Sequence, residues 1–276
     1  MKKALIFFLL FMAFVAQAQV IPVGFMKNRG FVNIPTPNPP PVTNGLILYL
    51  DATQSASYGG SGTTWNDVSG QSPAGPATLA GSPPPTFSSG STANGSGSFT
   101  FAANVNAKTT KSFTIQQAIT FIAWINPSQN AGSGSSAEGS GIIVRRWDPT
   151  NQGGATSLYL YSGNALGYDW TNNYYGVRFG LTVPLNEWSM VAISVNATSA
   201  TAYLCKASGI TNNTQYNSHI TLADKGASNF TIGYDAYKPG SRAFLGKIAI
   251  AMVYYTSLSY SEIESIFNAQ KASFGL

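Results

Sequence analysis

The sequence has one cysteine, one histidine and few charged residues. A lone thiol cannot close an intrachain disulfide, so stability has to come from a packed core. Cys205, within Ala202-Tyr203-Leu204-Cys205, reads as a small buried strand residue. His219, next to Asn217-Ser218, cannot build a histidine-rich zinc site and reads as a surface turn residue. Charged residues make up only 9% of the chain, and its net charge of +5 overstates the basic character. Without residues 1–18, which hold Lys2 and Lys3 and no acid, 13 basic residues face 10 acidic ones, a net of +3. There is no Lys/Arg run, and Arg145-Arg146 is the densest spot, which argues against a nucleic-acid partner. No nucleophile elbow is present. Beyond residue 18, no apolar stretch is long enough to cross a bilayer.

The chain does carry a leader-like start. Lys2-Lys3, the apolar run Ala4 to Val15 and the small-x-small Ala16-Gln17-Ala18 read as a signal peptide over residues 1–18. The expected product is exported, whether secreted, periplasmic or at the cell surface, with no membrane span. Residues 19–42 hold a short apolar piece, Val20 to Phe25, and then Pro35-Thr36-Pro37-Asn38-Pro39-Pro40-Pro41. The prolines favour an extended, stiff spacer. The apolar piece suits addition to a sheet edge, or a tether to an assembly partner. The whole chain is 44% apolar with 13% aromatics, 28 Gly and 15 Pro, a mixture that favours many short strands joined by turns.

The C-terminal stretch organises that remainder. Ile248, Ile250, Met252 and Tyr254 alternate with Ala249, Ala251, Val253 and Tyr255. A period of two with apolar residues on both faces predicts a central strand. Ser259 and Glu262 have the spacing of a capping box, Leu258 and Ile263 that of a hydrophobic staple. Ile263, Ile266 and Phe267 then form one stripe of a short closing helix. Upstream, Phe121, Ala123 and Ile125 alternate with Ile122 and Trp124. Asn196-Ala197-Thr198-Ser199 has the turn chemistry of a hairpin. With short strands inside residues 53–98 and another at Ile220–Leu222, about twelve strands are expected.

Several segments carry a joint resemblance. They are Gly45-Leu46-Ile47-Leu48-Tyr49-Leu50-Asp51-Ala52, Thr64-Trp65-Asn66-Asp67-Val68-Ser69-Gly70, Ile119 to Pro127, Asn186 to Ile193, Phe244 to Tyr255 and Leu258-Ser259-Tyr260-Ser261-Glu262-Ile263. In this order they resemble the laminin-G-like (LamG) branch of the concanavalin A-like lectin/glucanase superfamily, over roughly residues 43–276. The resemblance implies an all-β fold, a two-sheet antiparallel jelly-roll sandwich with a short C-terminal helix, as one domain at 43–276. It also implies that Trp65 covers one end of the core.

That superfamily includes glycoside hydrolases, whose retaining members need two carboxyl groups about 5–5.5 Å apart. The only closely spaced acids, Glu262 and Glu264, fall in the predicted helix, where i and i+2 point to different sides. The chain is therefore expected not to be an enzyme. Many relatives hold calcium with loop acids, and Asp148, Asp169, Asp224 and Asp235 are of that kind, so Ca2+ is a possible cofactor. A binding surface fits the residues better. Tyr168, Asp169, Trp170, Asn172, Asn173, Tyr174, Tyr175 and Arg178 concentrate aromatics, amides and a cation, and Trp147-Asp148, Asp235 and Tyr237 add to them. Aromatic faces stack on sugar rings while amides and charges bind hydroxyls. The expected function is an exported recognition module for a carbohydrate or cell-surface ligand, a glycan or a surface protein. The alternative is a structural or accessory subunit of a surface, envelope or virion-like assembly, attached through residues 19–42.

Overall fold

A computed structural model describes residues 38–114, 118–131, 141–146, 156–169, 177–216, 227–235 and 242–276. They contain sixteen strands. The first eight are β1 (Leu46–Asp51), β2 (Thr64–Trp65), β3 (Ala77–Ala80), β4 (Thr86–Ser88), β5 (Ser98–Phe101), β6 (Asn106–Thr109), β7 (Ile119–Pro127) and β8 (Gly141–Arg146). The others are β9 (Ser157–Tyr161), β10 (Ala165–Asp169), β11 (Val177–Thr182), β12 (Ser189–Val195), β13 (Ser199–Lys206), β14 (Gly209–Tyr216), β15 (Phe230–Ile232) and β16 (Gly246–Tyr254). Helix α1 (Tyr260–Gln270) and a 3-10 turn (Lys271–Phe274) follow. The expected strand at Ile220–Leu222 lies outside the described residues.

The strands form two antiparallel sheets. The first runs β14-β13-β12-β7-β16-β5-β4, with β1 paired to β16 beside β5. The second runs β11-β10-β9-β8-β15-β6-β3-β2. The all-β, two-sheet sandwich with one C-terminal helix is thus the observed fold.

Period-two alternation sorts the side chains of the first sheet into two layers. Phe121, Ala123 and Ile125 of β7, with Val191, Ile193 and Val195 of β12, pack between the sheets. Ile122, Trp124, Met190 and Ala192 point the other way, under α1. Cys205 is buried in this outer layer, where burial pushes its thiol up to about 12. Trp65 is fully buried in the inter-sheet core, against Phe99. Strand β16 departs from strict alternation. Its pairing with β7 shifts between Ile248 and Ile250, a bulge that turns Ile248 inward while Ile250, Met252 and Tyr254 face the helix. Gly246 opens the strand at φ +149°, where a Cβ would collide with the Asn126 carbonyl.

The helix closes on the capping box its sequence announces. The Ser259 hydroxyl accepts from the Glu262 amide at 3.4 Å, and the Ser259 amide donates to the Glu262 carboxylate at 2.7 Å. Ile263, Ile266 and Phe267 are buried against the sheet. Trp124 stacks on Phe274 at 3.9 Å between centroids and donates its indole N–H to Gln270 Oε1 at 2.7 Å. The other end of this layer is fixed by Asp67, whose carboxylate accepts three backbone N–H bonds, from Tyr49, Ser69 and Gly75. Those bonds hold the segment after β2 against β1.

Candidate functional site

With α1 over the first sheet, the outward face of the second is the candidate ligand surface, where Arg145, Ser157, Tyr159 and Thr231 are buried and Tyr161 and Arg178 reach solvent. Leu158 and Leu160 of β9 enter the core, so Ser157, Tyr159 and Tyr161 face outward. On β10, Leu166 and Tyr168 point inward, leaving the small residues Ala165 and Gly167 on the outer face. Tyr159 lies flat over Gly167, where a Cβ would stand 2.6 Å from the ring. Arg178 of β11 crosses β10 to place its guanidinium 3.4 Å from the centroid of the Tyr161 ring. Arg178 is exposed and Tyr161 half-buried, so the pair forms a flat cationic and aromatic platform.

Register places four strand ends at one rim, two residues along the ladder from Arg178 and at the opposite end of β9 from Tyr161. Arg145 pairs with Ser157, Asp169 with Ser157, and Tyr168 with Val177. The ends of β8 and β10 and the starts of β9 and β11 therefore stand side by side. From that rim leave the segments carrying Trp147 and Asp148, and Trp170, Asn172, Asn173, Tyr174 and Tyr175. Those residues and Tyr237 lie outside the described residues, as does the side chain of Asp169.

Two sequence-based candidates stand elsewhere than a ligand surface. Tyr168 is fully buried between the sheets, because the alternation that exposes Gly167 and Asp169 sends it inward. Asp235 is also fully buried. Arg242 Nη1 reaches its Oδ2 at 2.9 Å, and Arg145 Nε lies 3.5 Å from Oδ1. Thr231 donates to the Tyr234 carbonyl at 3.0 Å, and the Gly233 amide donates to the Ile143 carbonyl at 2.9 Å. These bonds fold the chain after β15 back over the sheet and bury the carboxylate among guanidinium groups. Burial and the neighbouring Asp235 carboxylate both push the Tyr234 hydroxyl upward in pKa. A carboxylate gripped by two guanidiniums does not fit a calcium ligand. Among the described residues, no three His, Cys, Asp or Glu side chains come together as a metal site. The sequence reading did not single out Tyr161. Its signal was the alternation itself, two leucines against two tyrosines in Ser157–Tyr161.

A second, shallower surface lies beside α1. Two adjoining hollows of about 280 and 320 Å³ share Lys206, Ala207 and Leu276, with Tyr260 in one and Trp188 in the other. Their floor is the edge of the helix layer rather than a face of the sheet.

The architecture defines a lectin-like β-sandwich, and comparison with known proteins gives its family. A laminin G family model, described as the concanavalin A-like lectin/glucanases superfamily, matches residues 94–264, more than half of the chain. The chain belongs to that superfamily. A search of curated proteins found no match. Among solved structures, it is similar to domain 4 of AbnA, a GH43 extracellular arabinanase from Geobacillus stearothermophilus, in complex with arabinotriose. That match has 14% identity and a TM-score of 0.53, and covers 80% of this chain and 97% of the other. A botulinum neurotoxin type C structure, whose cell entry depends on interaction with two ganglioside molecules, matches with 12% identity and a TM-score of 0.55. It covers 83% of this chain and 52% of the other. Trypanosoma rangeli sialidase matches with 15% identity and a TM-score of 0.53, over 87% of this chain and 36% of that one. The chain thus spans about a third of the length of the sialidase structures.

Proposed function

We propose that the chain is an exported, non-catalytic recognition module that binds a carbohydrate through the outer face of its second sheet. The observation that carries this reading is the Arg178–Tyr161 platform on the same sheet as the rim where the aromatic and amide-rich segments leave. An aromatic face and a guanidinium together suit a sugar ring and its hydroxyl or carboxylate groups. Two proteins of similar fold are described with carbohydrate ligands, arabinotriose in one case and gangliosides in the other. Four of the described acids already have structural roles, which supports the non-catalytic reading. Asp51 and Asp67 accept local hydrogen bonds, Asp235 is ion-paired and Glu262 caps the helix.

A glycan-array screen tests the reading, run with calcium and with chelator. The wild type is compared with Tyr161→Ala, Arg178→Ala and the Tyr174→Ala/Tyr175→Ala double variant. Binding that is lost in Tyr161→Ala and Arg178→Ala, with folding intact, is the expected result. Binding that survives in all three variants sinks this site, and a blank array for the wild type sinks the carbohydrate reading. Loss with chelator alone adds calcium, with Asp148 and Asp169 as the first acids to replace.

A further inference from the structure

Each sheet ends in edge strands, and the edges are not alike. A bare edge offers unpaired N–H and C=O groups to any other strand, and proteins blunt it with short length, charge, proline or a bulge. Strand β2 has two residues and β4 has three. Strand β11 carries Arg178, its pairing with β10 is irregular, and Gly180 turns to φ +66°. The outer side of β1 is covered by the Val68 amide on the Tyr49 carbonyl and by Asp67. Strand β14 has none of these protections. It runs eight residues, Gly209-Ile210-Thr211-Asn212-Asn213-Thr214-Gln215-Tyr216, with no charge and no proline. Its register with β13 is unbroken from Ser199↔Tyr216 to Lys206↔Gly209. Among the described residues, no backbone bond outside that ladder reaches it. At its end stands Tyr216, 83% exposed, the most exposed large apolar side chain described.

We propose that β14 is a self-association edge, pairing antiparallel with β14 of a second copy of this chain about a twofold axis. Geometry restricts the register. Lys206 and Gly209 flank a two-residue turn and form the hydrogen-bonded closing pair, so Ile210, Asn212, Thr214 and Tyr216 turn their backbone groups outward. A twofold perpendicular to the sheet keeps each face on its own side, so residues of the same parity must oppose each other. The register centred on Asn213 meets both conditions using the whole strand. Ile210 then opposes the second copy's Tyr216, Asn212 opposes Thr214, and all four outward residues find partners. The exposed Tyr216 ring comes to rest on Ile210, an aromatic–β-branched cross-strand pair made twice. Asn213 is already held to the Phe179 carbonyl at 2.9 Å, which fixes the strand at the centre of the pairing. The product is one continuous sheet of sixteen strands, two copies of the eight-stranded sheet joined edge to edge.

Analytical ultracentrifugation of the full chain over a concentration series tests this. Two charge variants go with it, Asn212→Lys/Thr214→Lys and Asn212→Glu/Thr214→Glu, each of which sets like charges opposite one another. The wild type should dimerise, each variant alone should dimerise at least about tenfold more weakly, and an equimolar mixture should restore the dimer. A wild type that stays monomeric, or variants that each dimerise as well as it does, overturns the proposal. Amide exchange at Ile210, Asn212, Thr214 and Tyr216 gives a readout that needs no variant. Protection rising with concentration supports self-pairing. Protection at every concentration means that a segment of the same chain covers the edge, and overturns it.

Discussion

The outer faces of the two sheets are built from opposite materials. On the first, α1 and the following turn lay Phe267, Phe274 and Ile266 over Trp124, Met252 and Tyr254, and the face is dry. On the second, Tyr159, Arg145, Asp235 and Thr231 are buried polar groups, and the Arg178–Tyr161 platform remains open. One face is thus spent on stability and the other keeps polar chemistry at the surface. The proposed ligand site draws on the second face, where donors and acceptors stand at the surface.

Substitutions can break that contrast in turn. The largest effect is expected from Trp124→Ala, which removes the stack on Phe274 and the indole bond to Gln270 Oε1. It should cost about 3–5 kcal/mol in a denaturant titration and leave the second sheet's ligand specificity unchanged. Asp235→Asn leaves two guanidiniums without their counter-charge and should cost about 3 kcal/mol. If it instead abolishes binding at full stability, Asp235 is a ligand residue after all. Alkali should weaken the first sheet on both of its faces, through Cys205 under the helix and Tyr255 beside the inter-sheet core. Burial lifts Cys205 from 9.0 to about 12 and Tyr255 from 10.0 to about 12. Below pH 9 both states keep these protons and stability is full. Between about pH 9 and 12 the unfolded chain ionises first, so the urea midpoint should fall by more than about 1 kcal/mol equivalent. Ser259→Ala, which removes the cap, should cost about 1 kcal/mol in the same titration. Arg178→Ala should change stability by less than about 0.5 kcal/mol and still remove binding, which is the sharpest separation of the two faces.

Much of the fold was legible because it rests on local chemistry. Ser259 and Glu262 announce the helix, Phe121 to Ile125 state their two faces, and Asn196 accepts the Thr198 and Ser199 amides in the hairpin turn. What escaped had weaker local signals. The Ala249 bulge looks like plain alternation, since every residue around it is apolar. Strand β14, made of Thr, Asn and Gln, has no buried stripe because it is an edge, and so it went uncounted. Tyr168 was misplaced for the opposite reason. It sits in an aromatic, polar stretch that resembles a surface, while its parity sends it into the core. The candidate ligand residues were chosen by composition, but Tyr161 and Arg178 meet only through cross-strand register, which a linear reading does not supply.

The position of β16 carries a consequence for how the chain acquires its shape. This strand lies at the centre of the first sheet, bonded to β7, β5 and β1, yet it comes nearly last in the sequence. Strand β1 therefore waits some two hundred residues for its partner, as Leu46 pairs with Tyr254. Contacts of such long range make folding slow and leave little for a partial chain to settle into. A growing or threading polypeptide of this sequence would stay open until its final stretch arrives, and then close around it from both sides.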